Sequence, residues 1–322
     1  MNRIGFAFLA ALAMLALGAA PARAQAQTRI ISGFPPGGGV DTLARIFAER
    51  FTEALGRPVI VETRTGAAGV ISAQALKAAA PDGNTLMVAP DSMITLYPHT
   101  VSKPAYDTLA DFTAVAHLGG YPIGLAVGAG NPAADLKEYI GRAKLSAANA
   151  SYGSAGAGTT LHFIGLLIGQ ATGAPMTHVA YRGVGPALTD VIGGQVPAVI
   201  LPLGTLLPQA NAGKLRILAH SGSRRSAAAP AIPTFKELGY PAVEISGWFG
   251  LFAPARTPAE IVNRYNTLVI QAERTAATQE KLRALDLEAR EASPAELAAS
   301  LKAEYERWGP IVKASGFSAD SQ

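Results

Sequence analysis

Twice in this chain a short β-rich run breaks into a glycine-rich turn and then a helix, and the two occurrences lie in separate halves. The first is Phe34-Pro-Pro-Gly-Gly-Gly-Val-Asp41. It joins the apolar run Arg29–Ser32 to a helix whose Val40, Leu43, Ala44, Phe47, Phe51 and Leu55 fall at helical spacing. The second is Ser151-Tyr-Gly-Ser-Ala-Gly-Ala-Gly-Thr-Thr160. Glycines at such a turn let the backbone approach a bound group, and the first amides of the helix have no intrahelical partner. A helix start of this kind attracts anions. Two such turns predict an α/β chain with a cleft that closes on an acidic small molecule.

The first 24 residues read as a cleaved leader. Arg3 is the basic start, Ile4–Gly18 is apolar, and Ala22-Arg23-Ala24 is an A-x-A cleavage site before Gln25. The apolar run falls short of the ~20 residues that span a bilayer, so an exported, soluble mature protein is expected. Roughly 300 residues remain, enough for two domains. The formal charge of +4 includes Arg3 and Arg23. What is left is too weak and too scattered to argue for nucleic acid. There is no cysteine, so no disulfide framework, redox dithiol or thiolate-held metal is available.

Short β-rich runs alternate with amphipathic helices, the α/β signature. Strands are expected at 28–32, 59–62, 85–89, 123–127, 177–181, 196–200, 215–219, 249–253 and 287–290. Gly56 followed by Arg57-Pro58 ends the first helix. Thr257-Pro-Ala-Glu260 and Ser293-Pro-Ala-Glu296 read as capping boxes opening helices over 257–273 and 294–315. The pattern divides the mature chain into a discontinuous first domain (25–126 and 247–322) with a second domain (127–246) inserted. Two crossings then form the hinge.

The five histidines show no H-x-x-x-H or H-E-x-x-H pair, so no helical zinc site is indicated. Ser154 lacks the glycine two positions before it that a nucleophile elbow needs. Neither glycine turn spells a dinucleotide or Walker fingerprint. No metal, cofactor or catalytic residue is assigned. Thr65-Gly-Ala-Ala-Gly69 after the second strand and Asp91-Ser92 after the third sit at strand carboxyl ends, where open α/β sheets place ligands. Ser154, Thr159 and Thr160 put hydroxyls around a helix start, where N-capping is their ordinary use. His162 falls on the first turn of that helix. Tyr181-Arg182-Gly183 opens another helix, and Arg182 offers a bidentate carboxylate contact. Trp248 lies in the second crossing, placed either to cover the cleft or to pack the hinge.

In order along the chain, these stretches resemble the Bug or TctC-type extracytoplasmic solute receptors of tripartite tricarboxylate transport. The resemblance covers essentially the whole mature chain. It is carried by Phe34-Pro-Pro-Gly-Gly-x-x-Asp41-x-x-Ala-Arg45, Arg64-Thr-Gly-Ala-Ala-Gly69, Ala80-Pro-Asp-Gly-Asn-Thr85 and Asp111-Phe112 with the apolar run that follows. Further on come Tyr152-Gly-Ser-Ala-Gly-x-Gly158 with His162, Tyr181-Arg-Gly-x-x-Pro-Ala-Leu-Thr-Asp190, Gly193-Gly-Gln-Val196 and Ala212-Gly-Lys-Leu-Arg216. Pro233-Thr-x-x-Glu-Leu-Gly239 and Trp248-x-Gly-Leu-x-Ala-Pro254 complete it.

The resemblance implies a monomeric two-domain Venus flytrap in the periplasm, each domain a mostly parallel sheet flanked by helices. Such a protein captures a small carboxylate and hands it to membrane permease subunits, or presents it to a membrane sensor kinase. Carried over, the ligand residues are Phe34, Gly37, Gly38, Asp41, Thr65, Gly66, Ser92, Ser154, Gly158, Thr159, Tyr181, Arg182 and Gly183. Where the family often has acidic residues after Gly-Gly-Gln-Val, this chain has Pro197 and Leu201. A ligand without an ammonium group is therefore expected: a di- or tricarboxylate, an aromatic acid or a keto acid. The alternative is a secreted hydrolase using Ser154 with His162.

Overall fold

The computed structural model describes residues 27–321, so the expected leader, residues 1–24, lies outside the described residues. Ten strands form two five-stranded mixed sheets. They are β1 (Thr28–Ser32), β2 (Val59–Thr63), β3 (Thr85–Pro90), β4 (Phe112–Tyr121), β5 (Ile123–Gly128), β6 (Ser151–Ser154), β7 (Thr177–Ala180), β8 (Ala198–Pro202), β9 (Leu215–His220) and β10 (Gly247–Pro254). The helices are α1 (Gly39–Leu55), α2 (Val70–Lys77), α3 (Tyr97–Thr100), α4 (Thr108–Asp111), α5 (Leu136–Ala143) and α6 (Thr160–Thr172), followed by α7 (Val184–Ile192), α8 (Leu203–Asn211), α9 (Ala259–Glu273), α10 (Ala276–Ala284) and α11 (Pro294–Ser315).

The first sheet runs β2-β1-β3-β10-β4 and the second β7-β6-β8-β5-β9. In each, one strand runs against the other four: β10 pairs antiparallel with β3 and β4, and β5 with β8 and β9. Each reversed strand is the first after a crossing between sheets, because the chain enters from the side where the other strands end. Pro122, between β4 and β5, breaks pairing at the first crossing.

Eight of the expected strands form. The run 287–290 makes an isolated bridge instead, with the Gly120 amide donating to Glu288 O and the Glu288 amide to Gly120 O. β4 and β6 were absent from the expectation. β4 is rich in alanine and glycine (Ala114, Ala116, Gly119, Gly120), which hides its strand character. β6 is the four residues that read as the start of the second glycine turn.

One of the two expected capping boxes forms. The Ser293 hydroxyl accepts from the Glu296 amide at 3.2 Å and the Glu296 carboxylate accepts from the Ser293 amide at 2.8 Å. Thr257 instead donates to Pro254 O at 2.7 Å, and α9 starts two residues later without a side-chain cap.

α11 adds a third connection to the two crossings. Leu297 and Leu301 pack with Ile31, Met87 and Phe252 of the first sheet, whereas Trp308 and Val312 lie in the core of the second sheet. Phe317, just past its glycine C-cap, packs on Phe163 of α6 with ring centroids 5.7 Å apart.

Trp308→Ala should therefore destabilise the protein by about 3–5 kcal/mol in urea unfolding. Lys302→Ala removes only an exposed pair with Glu306 at 3.7 Å and should cost less than about 1 kcal/mol.

Candidate functional site

The ends of β1, β2 and β3 meet around Phe34. A Cβ added at Gly69 would lie 2.5 Å from Met93 Sδ and 3.3 Å from the Phe34 ring, so glycine at 69 lets these three strand ends close up. Gly37 holds φ at 83° in the exposed turn before α1. Gly38 is the N-cap and supplies no side-chain cap, so the amides opening α1 lack side-chain partners. Asp41 is only 2% exposed, and its carboxylate is engaged within the turn and the helix. Its Oδ2 accepts the Gly37 amide at 3.0 Å and Arg45 Nε at 2.8 Å, and its Oδ1 accepts Arg45 Nη2 at 3.1 Å. The Arg45 guanidinium, helped by the Gly37 amide, holds the Asp41 carboxyl below the usual carboxylate range despite burial. Asp41 is thus a clamp that fixes the turn.

After β2, Thr65 is exposed and Gly66 adopts φ 133°. Ala67 and Ala68 follow at φ 46° and 52°, left-handed positions that cost an alanine on the order of 1 kcal/mol each. α2 opens on Gly69, again without a side-chain cap. After β3 comes Asp91-Ser92, with Ser92 half-buried.

The second-domain turn is built differently, because its polar groups are engaged with one another. Ser154 Oγ, fully buried, lies 2.7 Å from His178 Nε2 and 3.1 Å from Gly156 O. Thr159 caps α6, accepting from the His162 amide while donating to Gly156 O at 2.8 Å. The Gly158 amide donates to His162 Nδ1 at 3.2 Å. His162 stacks on His178 with centroids 4.0 Å apart and planes 21° apart, and Phe317 closes its other side. Burial pushes His162 down to about 4; burial and then His162 push His178 down to about 3. Both rings are therefore neutral near pH 7.

This geometry corrects the Ser154/His162 pairing of the hydrolase alternative. The histidine bonded to Ser154 is His178, because parallel pairing of β6 with β7 sets Ser154 against Ala180 and Tyr152 against His178. His162 Nδ1 is occupied by Gly158. Tyr181 and Gly183 run beside the same turn, their amides donating to Ser154 O at 3.0 Å and Ala155 O at 3.3 Å. The Tyr181 hydroxyl is bound to Asp190 at 2.8 Å, Arg182 is exposed, and Gly183 (φ 103°) opens α7 without a side-chain cap.

The two domains are joined at the base of this arrangement by Asp91 and Thr160, whose hydroxyl donates to Asp91 Oδ2. Ser92 and Thr159, their chain neighbours, are thereby brought to the same gap. Asp91 is 1% exposed and its Oδ1 faces the Trp248 amide at 3.5 Å. Nearby, Glu304 of α11 accepts Trp248 Nε1 at 2.7 Å, Thr95 Oγ1 at 3.0 Å and Trp308 Nε1 at 3.3 Å. Trp248 thus packs the hinge. Burial, with the Glu304 charge second, pushes Asp91 up to about 7. Sequence reading noticed Asp91 only as the neighbour of Ser92, and missed Glu304 and His178. Nothing in their local sequence marks them, since each acts through a partner distant along the chain.

A cavity of about 670 Å³ lies between the domains, lined among others by Tyr121, Pro122, Ser246, Trp248 and Trp308. None of the residues expected to bind ligand lines it. Turn chemistry, not cavity size, marks the candidate site.

Two α/β domains hinged over paired glycine turns define a solute-binding protein of the Venus-flytrap type. Residues 43–317 match the family model described as the tripartite tricarboxylate transporter family receptor, and the chain belongs to this family. It is 37% identical over 285 residues to the "UPF0065 protein in gbd 5'region" of Cupriavidus necator, covering 87% of this chain and 86% of that one. It is 33% identical over 293 residues to the protein BugT of Bordetella pertussis, covering 89% of each. Among solved structures, MatC from Rhodopseudomonas palustris with bound malate is 30% identical with a TM-score of 0.77, covering 89% of this chain and 98% of that one. Rpa4515 of R. palustris with adipate is 30% identical with a TM-score of 0.81, covering 91% and 98%.

The Asp91 carboxyl gives a pH test. Its folded value is raised above the ordinary 3.8, so the native state holds the proton more tightly than the unfolded chain. The stability this contributes is complete below about pH 4 and is lost as pH rises through about 7, on the order of a few kcal/mol. The stability difference between wild type and Asp91→Asn should therefore shift against wild type between pH 4 and 7.5 in denaturant titrations. Parallel profiles would show that Asp91 ionises normally.

Proposed function

We propose that this chain is a periplasmic receptor without chemistry of its own. It captures a small carboxylate lacking an ammonium group and delivers it to the permease subunits of a tripartite tricarboxylate-type transporter. The observation that carries this reading is the row of uncapped, glycine-flanked helix starts, after β1, β2 and β7, beside a turn whose histidines are neutral. Amides and hydroxyls in such a place stabilise a carboxylate without a buried cation. The left-handed Ala67 and Ala68 fit a turn shaped for a ligand at a stability cost.

Gly37, Gly38, Thr65, Gly66 and Ser92 supply the first wall, and Ser154, Gly158, Thr159 and Arg182 the second. Phe34 covers the base. Asp41, Tyr181 and Gly183 shape the turns. Binding requires Gly158 or Ser154 to exchange an internal hydrogen bond for one to the ligand, which favours modest affinity changes on single substitutions. The bound malate and adipate of the two structural relatives make dicarboxylates the first ligands to test. The inserted domain, expected over 127–246, is better begun at Pro122, because β5, which a boundary at 127 would cut, pairs wholly within the second sheet.

Calorimetry on refolded, ligand-stripped mature protein should find one malate or adipate bound per chain and returned unchanged, with aspartate binding far more weakly. Ser154→Ala should weaken binding by roughly 1 kcal/mol, more if the hydroxyl meets the carboxylate directly. Tight aspartate binding with none for malate would refute the ligand class. Turnover of any of these acids would refute the receptor reading.

A further inference from the structure

All three connections between the domains line the cavity of about 670 Å³: Tyr121-Pro122, Ser246 and α11. Its volume is that of a small-molecule site, and sheet order places it opposite the candidate cleft. The glycine turns follow β1 and β2 in one sheet and β6 and β7 in the other, with Asp91-Ser92 after β3. The cavity is reached from the far edges, through His117 and Gly120 of β4 and the 222–226 loop that follows β9. The reversed strands β10 and β5 lie between. A rotation about the crossings that narrows the cleft must widen the cavity.

Its walls carry three arginines beside three glutamates, Glu244, Glu288 and Glu304. Arg224 comes from the second domain, Arg290 from the first and Arg307 from α11. The acids beside them are largely committed elsewhere. Glu304 is satisfied by two indoles and a hydroxyl, and Glu244 pairs with Lys236 at 2.9 Å. Among the described residues Arg224 pairs only with Glu288, at 3.7 Å. Arg307 donates to the carbonyls of Ala242 and Glu244, at 3.1 and 3.4 Å. Among the described residues Arg290 has neither hydrogen bond nor ion pair; its charge falls on His117 and Glu296. Guanidinium groups so placed recognise planar or tetrahedral oxyanions bidentately.

We propose that this cavity is a second ligand site, which takes a small polyanion between Arg224 and Arg290 and, by filling the space behind the hinge, favours the closed cleft. Only the linkage to the cleft rests on the receptor reading. Linkage is reciprocal, so a polyanion that raises affinity at the front is itself held more tightly when the front is occupied.

The chain has two tryptophans, and both, Trp248 and Trp308, line the cavity. Inorganic pyrophosphate titrated at constant ionic strength into the ligand-stripped protein should give a saturable change in tryptophan fluorescence, with one ion bound per chain. Arg224→Ala/Arg290→Ala should weaken that binding at least tenfold, and Ser154→Ala should leave it unchanged. In calorimetry, saturating pyrophosphate should tighten malate binding at least threefold in wild type and have no effect in the arginine variant. A missing signal, or one lost in Ser154→Ala but kept in the arginine variant, overturns the site. Equal malate affinity with and without pyrophosphate overturns the linkage. Pyrophosphate binding by a protein that takes no carboxylate would support the site and count against the receptor reading.

Discussion

The carboxylate of Asp91 sits where the end of β3, the crossing strand β10 and the start of α6 come together, and both domains are positioned through it. It accepts the Thr160 hydroxyl from one domain and faces the Trp248 amide of the other. Glu304 is close enough to add its charge. Removing one partner from such a buried set leaves the others unsatisfied, at a cost of about 1–3 kcal/mol for each stranded group. The location of this joint decides which residues are brought to the gap: Ser92 next to Asp91, Thr159 next to Thr160.

α11 extends the same constraint. It begins on the first domain's core, passes Glu304 through the tryptophan pair and ends with Trp308 and Val312 in the second core. Two crossing strands alone would leave the hinge free to rotate in several directions. A helix anchored in both cores restricts rotation to those movements that keep Trp308 buried. Phe317, just past α11, carries this toward the second-domain turn, since it rests on the histidine whose Nδ1 holds the Gly158 amide.

Much of this was legible in the sequence where local chemistry decides the outcome. Strand edges, the Gly56 helix stop, the Ser293 cap and the glycine turns are set by residues within a few positions of each other. What escaped depends on register and tertiary contact. β4 is hidden because buried alanines and glycines make a strand only when the neighbouring β10 is in place. Thr257 found a carbonyl nearer than the helix it was expected to cap. His178 acts on Ser154 through a parallel pairing that spacing cannot specify, and Glu304 looks like any polar helix residue until Trp248 is folded against it. Asp41, which the resemblance carries over as a ligand residue, has its carboxylate spent on the Gly37 amide and Arg45 instead.

The most direct test of the account is a crystal structure of the mature protein with adipate bound. The account predicts the acid between the turns, one carboxylate on the Gly39 amide that opens α1 or the hydroxyl of Ser92, the other near Ser154–Thr159, with the Asp91–Thr160 contact intact. Adipate found only behind the hinge among Arg224, Arg290 and Trp248, with the glycine turns empty, would contradict it.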